Sequence, residues 1–275
     1  MQKTILITGS TDGIGLETAK LLVSNGHNVL LHGRNPAKLA EAGKALSALS
    51  NGGTVEPYVA DLSRMKDVEA LAIAVASQHE NLDVLVNNAG VYQAPDTVTA
   101  DGLDIRFAVN TIAPYLLTQR LVSLLGPSGR VINLSSAAQS PVNPEALAGK
   151  ASLPDGAAYA QSKLALTMWS RDMALSLASD GPAIIAVNPG SMLGSKMVKE
   201  AFGVAGGDLG IGADILRRAA LTDEFDAASG LYFDNDSGRF ASPHPDALDQ
   251  RKSREIVSVI ETLLSRITQE NGNHS

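Results

Sequence analysis

The chain has 275 residues, 44% hydrophobic and 19% charged, with a formal net charge of −7 and no cysteine. That length and balance suit one large α/β domain with a full core. The lack of cysteine excludes a disulfide framework and thiolate chemistry, and the acidic charge disfavours nucleic acid, whose phosphates call for clustered Lys and Arg.

The opening "MQKTILITGS" reads as a buried strand, KTILIT at 3–8, too short for a signal-peptide core or a membrane span. A soluble cytoplasmic protein with no membrane partner is the expectation. Further strands are expected at 28–33, 54–60, 82–88, 129–136, 182–189 and, more weakly, 229–233. Helices are expected at 14–25, 36–49, 64–79, 101–125 and 157–179, with a pair near 211–220 and 250–270. Gly26 stops the first helix, Pro36 starts the second and Ser63 suits the N-cap of the third. Pro114 suggests a kink in the helix 101–125. Continuous Val/Ile/Leu runs alternating with helices predict a doubly wound, mainly parallel seven-stranded sheet flanked by helices, a single Rossmann-type domain over 1–275. Loop-rich segments at about 137–156 and 190–220 read as an inserted loop and a substrate lid, and the tail from about 271 as frayed. The histidines (His27, His32, His79, His244, His274) show no paired spacing, so no metal site is expected.

The turn after the first strand, "TGSTDGIG" at 8–15, places Gly9, Gly13 and Gly15 around Ser10, Thr11, Asp12 and Ile14. Glycines there let a diphosphate approach backbone N–H groups at the positive end of a helix. The spacing differs from the Gly-x-Gly-x-x-Gly fingerprint, and a tight turn without a ligand reads the same residues. After the second strand, where a carboxylate would hold a ribose, stands Arg34, with Asn35 next and Lys38 one turn on. A guanidinium fork suits the extra phosphate of NADP(H), which a carboxylate would repel; an arginine stacked on adenine would serve either cofactor. Tyr159 and Lys163 lie four apart, on one face of the helix 157–179. An ammonium beside a phenol, with a cationic nicotinamide, lowers the phenol's pKa and equips it for proton transfer.

"TGSTDGIG" followed by "NNAG" at 87–90, "NLSS" at 133–136 and "YAQSK" at 159–163 resembles the short-chain dehydrogenases/reductases. The motifs run in that family's order over 3 to about 190, and "TDGIGLETAKLL" with "GRNPAKL" points to the retinol-dehydrogenase-like and carbonyl-reductase branch. The resemblance implies a catalytic set of Asn110, Ser136, Tyr159 and Lys163, with Ser135 the alternative hydroxyl. It assigns Asp61 and Leu62 to the adenine, although Asp61 also suits a helix cap. Asn87, Asn88, Ala89 and Gly90 would face a ribose, and Pro189 and Gly190 would lie under the nicotinamide, with Ser191 or Ser195 as the nearby hydroxyl. Met192, Leu193, Met197, Val198, Phe202 and Val204 are candidates for an apolar lid lining. The distance from Ser136 to Tyr159 exceeds that of compact members, and the insert leaves monomer or homo-oligomer open. The function so read is an NADP(H)-dependent oxidoreductase, NADP(H) preferred over NAD(H), acting between a ketone or aldehyde and a secondary alcohol. A catalytically silent NADP(H)-sensing regulator is the alternative, and an isomerase or dehydratase on the same fold is a third reading.

Overall fold

The computed structural model describes residues 1–272, the side chains of Phe202 and 270–272 excepted; 273–275, with His274 and the end of the expected tail, lie outside the described residues. In chain order run β1 (Thr4–Ile7), α1 (Gly13–Ser24), β2 (Asn28–Gly33), α2 (Pro36–Ser47), β3 (Val55–Val59), α3 (Met65–Gln78) and β4 (Val84–Asn87). Then follow α4 (Ile105–Phe107), a π-helical turn (Ala108–Ile112), α5 (Ala113–Leu125), β5 (Arg130–Leu134), α6 (Pro144–Leu147), α7 (Asp155–Leu177) and β6 (Ala183–Asn188). The last part holds α8 (Lys196–Phe202), α9 (Leu209–Leu221), a 3₁₀ turn (Asp223–Phe225), β7 (Tyr232–Asp234), β8 (Arg239–Ala241), α10 (Pro245–Leu248) and α11 (Gln250–Gly272).

The strands form one sheet in the order β3-β2-β1-β4-β5-β6-β7-β8. All neighbours are parallel except β7 and β8, which pair as an antiparallel hairpin. The sheet therefore has eight strands rather than the expected seven. Strand alternation divides the core in two. Ile5, Ile7, Val84, Val86, Ile132 and Ile185 pack on the face of α1, α2 and α9, while Leu6, Leu85, Val131 and Ile184 pack on the face of α3, α5, α7 and α11. Among the described residues no helix is long and apolar enough to cross a membrane.

Two helix starts and one kink differ from the sequence reading. The N-cap of α3 is Arg64, not Ser63, and the acceptor for the Met65 N–H is the carboxylate of Asp101 at 2.8 Å. The helix expected from 101 begins at Ile105, where the Asp104 carboxylate accepts the Arg106 N–H. The kink suggested by Pro114 is a π-helical turn over Ala108–Ile112, closed by the Ala113 N–H on the Ala108 carbonyl five residues back. Pro114 has no N–H for the carbonyl of Asn110 four residues back, which favours this wider winding. Residues 209–221, counted with the lid from sequence, form α9, whose Ile215 and Leu216 are buried in the core. From the expected lid, Ser195, Lys196 and Met197 line the cleft.

Arg106 joins this kinked helix to the start of α7. Its guanidinium is 1% exposed and donates to Asp104 at 2.7 Å and Asp155 at 2.8 Å. Removing one partner of a buried ion pair leaves the rest without compensation and costs about 3–5 kcal/mol. Arg106→Ala is accordingly expected to lower the unfolding free energy by about 3 kcal/mol, measured by urea denaturation at neutral pH.

Candidate active site

A cleft of about 490 Å³ lies across the C-terminal ends of the strands, where the order reverses between β1 and β4. Open sheets of this kind hold ligands in the crevice outside the carboxyl ends of the strands at that point. The two bordering loops are locked to each other. Thr8 Oγ1 accepts the N–H groups of Asn88 at 3.0 Å and Ala89 at 3.1 Å, and Asn88 Nδ2 donates to the carbonyls of Thr8 and Gly9. Gly9 has φ +63°, and a Cβ there would stand 2.9 Å from the Ala89 Cα.

Of the residues expected to bind a dinucleotide, Gly9, Thr11, Asp12, Gly13, Ile14, Arg34, Asn35, Lys38, Asp61, Leu62, Asn88, Ala89, Gly90, Tyr159, Lys163, Pro189 and Ser195 line the cleft. Several also have structural work. Asp12 caps α1, Asn35 caps α2 through the Lys38 N–H, and Asp61 accepts the N–H and hydroxyl of Ser63. Arg34 and Lys38 are exposed on the rim and their side chains have no hydrogen-bond or ion-pair partner among the described residues.

Four of the expected cofactor residues do not line the cleft. Ser10 is buried, its hydroxyl donating to the Ile7 carbonyl and accepting the His32 N–H. Gly15 is a packing glycine, since a Cβ there would stand 2.4 Å from Asn88 Nδ2. Gly190 lies beneath Leu193, and Ser191 turns to Asp236 at 2.5 Å. Between the two serines left open by the sequence, Ser195 faces the cleft, while also capping α8. Asn87 is likewise directed inward, donating to Thr118 and Asn133.

At the inner end, Lys163 is 4% exposed and its Nζ donates to the Leu134 carbonyl at 2.7 Å. The same nitrogen lies 5.7 Å from the centre of the Tyr159 ring. Burial lowers the Lys163 ammonium to a pKa of about 8. Burial also pushes the Tyr159 phenol above its ordinary value, with a hydrogen bond to Ser136 working against the shift. The downward pull expected from a neighbouring ammonium therefore does not govern the phenol in the protein alone, because desolvation outweighs it.

The two serines separate as strand alternation requires. Ser135 lines the cleft while bonding Thr167 at 2.7 Å, and the Ser136 hydroxyl, on the other side, accepts the Ala138 N–H at 3.1 Å. The Asn110 side chain clamps the loop after β4, accepting the Val91 N–H and donating to the Val91 carbonyl and Ser162. Its amide is thus committed to positioning. The lid contributes Met197 and Lys196 to the lining, Leu193 is buried, Met192 and Val204 are largely exposed, and the side chain of Phe202 lies outside the described residues.

The sequence reading missed His32, Val91, Val109, Leu134 and Tyr92. Tyr92 packs on Tyr159 with ring centres 5.0 Å apart. His32 is 3% exposed and staples the first glycine turn to the end of β3: Nδ1 accepts the Gly9 N–H at 3.0 Å, and Nε2 meets the Ala60 carbonyl at 3.1 Å. The available signal was a histidine among the aliphatics of β2, just before Arg34.

The family model described as "short chain dehydrogenase" matches residues 3–203. Retinol dehydrogenase 13 of Mus musculus is 32% identical over 92% of this chain and 81% of that protein. Among solved structures, the promiscuous reductase LugOII, described as catalysing keto-reduction at C1 in lugdunomycin biosynthesis, is 33% identical, with a TM-score of 0.67 over 86% of this chain and 96% of that one. The angucycline C-6 ketoreductase LanV with bound NADP is 28% identical, with a TM-score of 0.69 over 85% and 93%.

Burial lowers the His32 pKa from 6.5 to about 4, so the native protein keeps this imidazole neutral. Between those values the unfolded chain takes up a proton that the native one refuses. The contribution is complete above pH 6.5 and is lost as pH falls toward about 4, by up to about 3 kcal/mol. In His32→Asn, which retains an acceptor but cannot titrate, the decline in unfolding free energy over that window is expected to be shallower by that amount, measured by denaturation at stepped pH.

Proposed function

Because the chain belongs to the short-chain dehydrogenase family, we propose that it is an NADPH-dependent carbonyl reductase, reversible toward secondary alcohols, with Tyr159 as acid/base. The carrying observation is the placement of Tyr159 and the buried Lys163, whose Nζ lies 5.7 Å from the Tyr159 ring centre, at the inner end of a cleft whose rim carries Arg34 and Lys38. Keto-reduction by LugOII and bound NADP in LanV support the reading.

The residues suit a dinucleotide. Gly9 lets the backbone come close where any Cβ would collide, and Thr11, Gly13 and Ile14 line the cleft at the N-terminus of α1, which favours a diphosphate. Arg34 and Lys38 would hold the phosphate that distinguishes NADP(H), while Pro189 and Ser195 would face the nicotinamide. When bound, the cofactor supplies the hydride. Tyr159 gives its proton to the substrate oxygen; burial, which raises the phenol's pKa, opposes that step, and the charge of Lys163 beside the ring works against that cost. The Ser136 hydroxyl donates to the oxygen where negative charge develops. Lys163, held by Leu134, places a positive charge beside the phenolate that results. Asn110 keeps the Val91 turn in place, and Tyr92 bounds the substrate side of Tyr159.

Tyr159→Phe is expected to lower kcat for NADPH oxidation, assayed over a panel of ketones and aldehydes, by at least about 100-fold with little change in the cofactor KM. Turnover at the wild-type rate would overturn the assignment. Arg34→Asp is expected to shift the kcat/KM ratio of NADPH to NADH toward NADH by roughly 10-fold to 100-fold, since it replaces a donor to charged oxygens with a repelling carboxylate.

A further inference from the structure

The hairpin between β7 and β8 reaches back to the turn after β6, the root of the lid. The Asp236 carboxylate accepts the Ser191 N–H at 2.8 Å, the Ser191 hydroxyl at 2.5 Å and Asn188 Nδ2 at 2.9 Å. Asn235 adds a side-chain bond to the Pro189 carbonyl at 2.9 Å and a backbone bond to the Asn188 carbonyl at 3.1 Å. Asp234 accepts from Asn188 as well, at 2.8 Å. Burial opposes ionisation of Asp236, but the hydrogen bonds from Ser191 outweigh it and hold the carboxyl below its usual range.

The next residue is strained. Met192 has φ 55°, a left-handed conformation that persists only where its surroundings enforce it. On its other side, the Met192 carbonyl accepts the Gly207 N–H at 2.8 Å, and Gly194 donates to the Gly207 carbonyl at 2.7 Å. Those bonds close the base of the lid, the segment bearing α8. The strained hinge is thus gripped from the lid on one side and from the hairpin on the other. Pro189 and Ser195, the cleft residues at this corner, flank it within a few positions.

We propose that Asp236 is a positioning residue that acts through Ser191 to hold the lid hinge, and with it Pro189 and Ser195, in the conformation that retains the dinucleotide. This rests on the reductase reading for its effect on turnover, but not for its effect on the lid. Asp236 touches none of the reacting groups. Its effect is expected in cofactor retention rather than in the chemical step.

The test uses the full chain with Asp236→Ala, Asn235→Ala and Ser191→Ala. Without cofactor, trypsin is expected to cut Asp236→Ala after the exposed Lys196 and Lys199 at least about tenfold faster than wild type, because a carboxylate accepting several bonds contributes strongly. The KM for NADPH is expected to rise about tenfold with kcat within about twofold, and Ser191→Ala to show smaller changes in the same direction. Should Asp236→Ala fail to fold, Ser191→Ala and Asn235→Ala decide. Cleavage and cofactor KM within about twofold of wild type in every folded variant would overturn the proposal, as would a fall in kcat at unchanged cofactor KM. If the wild type reduces no carbonyl, the reductase reading fails, while the cleavage rates still decide whether Asp236 holds the hinge.

Discussion

A single methyl group would not fit between Gly9 and Ala89, where a Cβ on the first would stand 2.9 Å from the Cα of the second. The loops after β1 and β4 meet there at backbone distance, just where the strand order reverses. Their closeness makes the cleft a continuous groove rather than two separate loop pockets. Gly15, in the first turn of α1, repeats the constraint, since its missing side chain leaves room for Asn88 Nδ2 to bond the Thr8 and Gly9 carbonyls. The glycines are needed for protein to approach protein before any ligand is considered.

That contact passes to its neighbours through polar groups, not apolar packing. Ser10 ties β1 to β2, and His32 ties the Gly9 amide to the end of β3. These groups are buried, so each must be satisfied or cost free energy. A neutral His32 suits the Gly9 N–H because Nδ1 then keeps a lone pair; a protonated ring would present a donor to a donor. Arg34 follows two residues later on the same strand end, so the guanidinium on the cleft rim stands next to the residue that holds the glycine turn.

The features legible in the sequence were those with a local cause. Runs such as Ile5-Leu6-Ile7 and Val84-Leu85-Val86 are apolar at every position because the sheet is covered on both faces. The pairs Tyr159/Lys163 and Ser135/Ser136 could be placed from helix and strand periods. The remainder depended on partners distant in sequence. Asp101 reaches the N-terminus of α3 from 36 residues away, and Ser63 gave no hint of it. Strand β8 is three residues long and mostly exposed, with no apolar run to mark it. Ser191 and Ser195 are chemically alike in the sequence, and only Asp236, 45 positions on, separates them. Pro114 announced a kink, but whether it would be a bend or a π-helical turn depends on which carbonyl each N–H reaches.

The inner end of the cleft shows why burial, rather than the Lys–Tyr contact by itself, sets its chemistry. Desolvation disfavours the charged form of each group, and so moves the two in opposite directions: Lys163 falls to about 8 and Tyr159 rises. At neutral pH the lysine is still mostly protonated and the phenol holds its proton. A neutral phenol beside a cation is the state from which a proton can leave toward an oxygen gaining charge. Loss of that proton then leaves a phenolate next to an ammonium, so the product of transfer meets the attraction that the starting phenol lacked. Burial thus makes the phenol a reluctant acid, and the charge of Lys163 beside the ring is the feature that would offset this for a phenolate formed there.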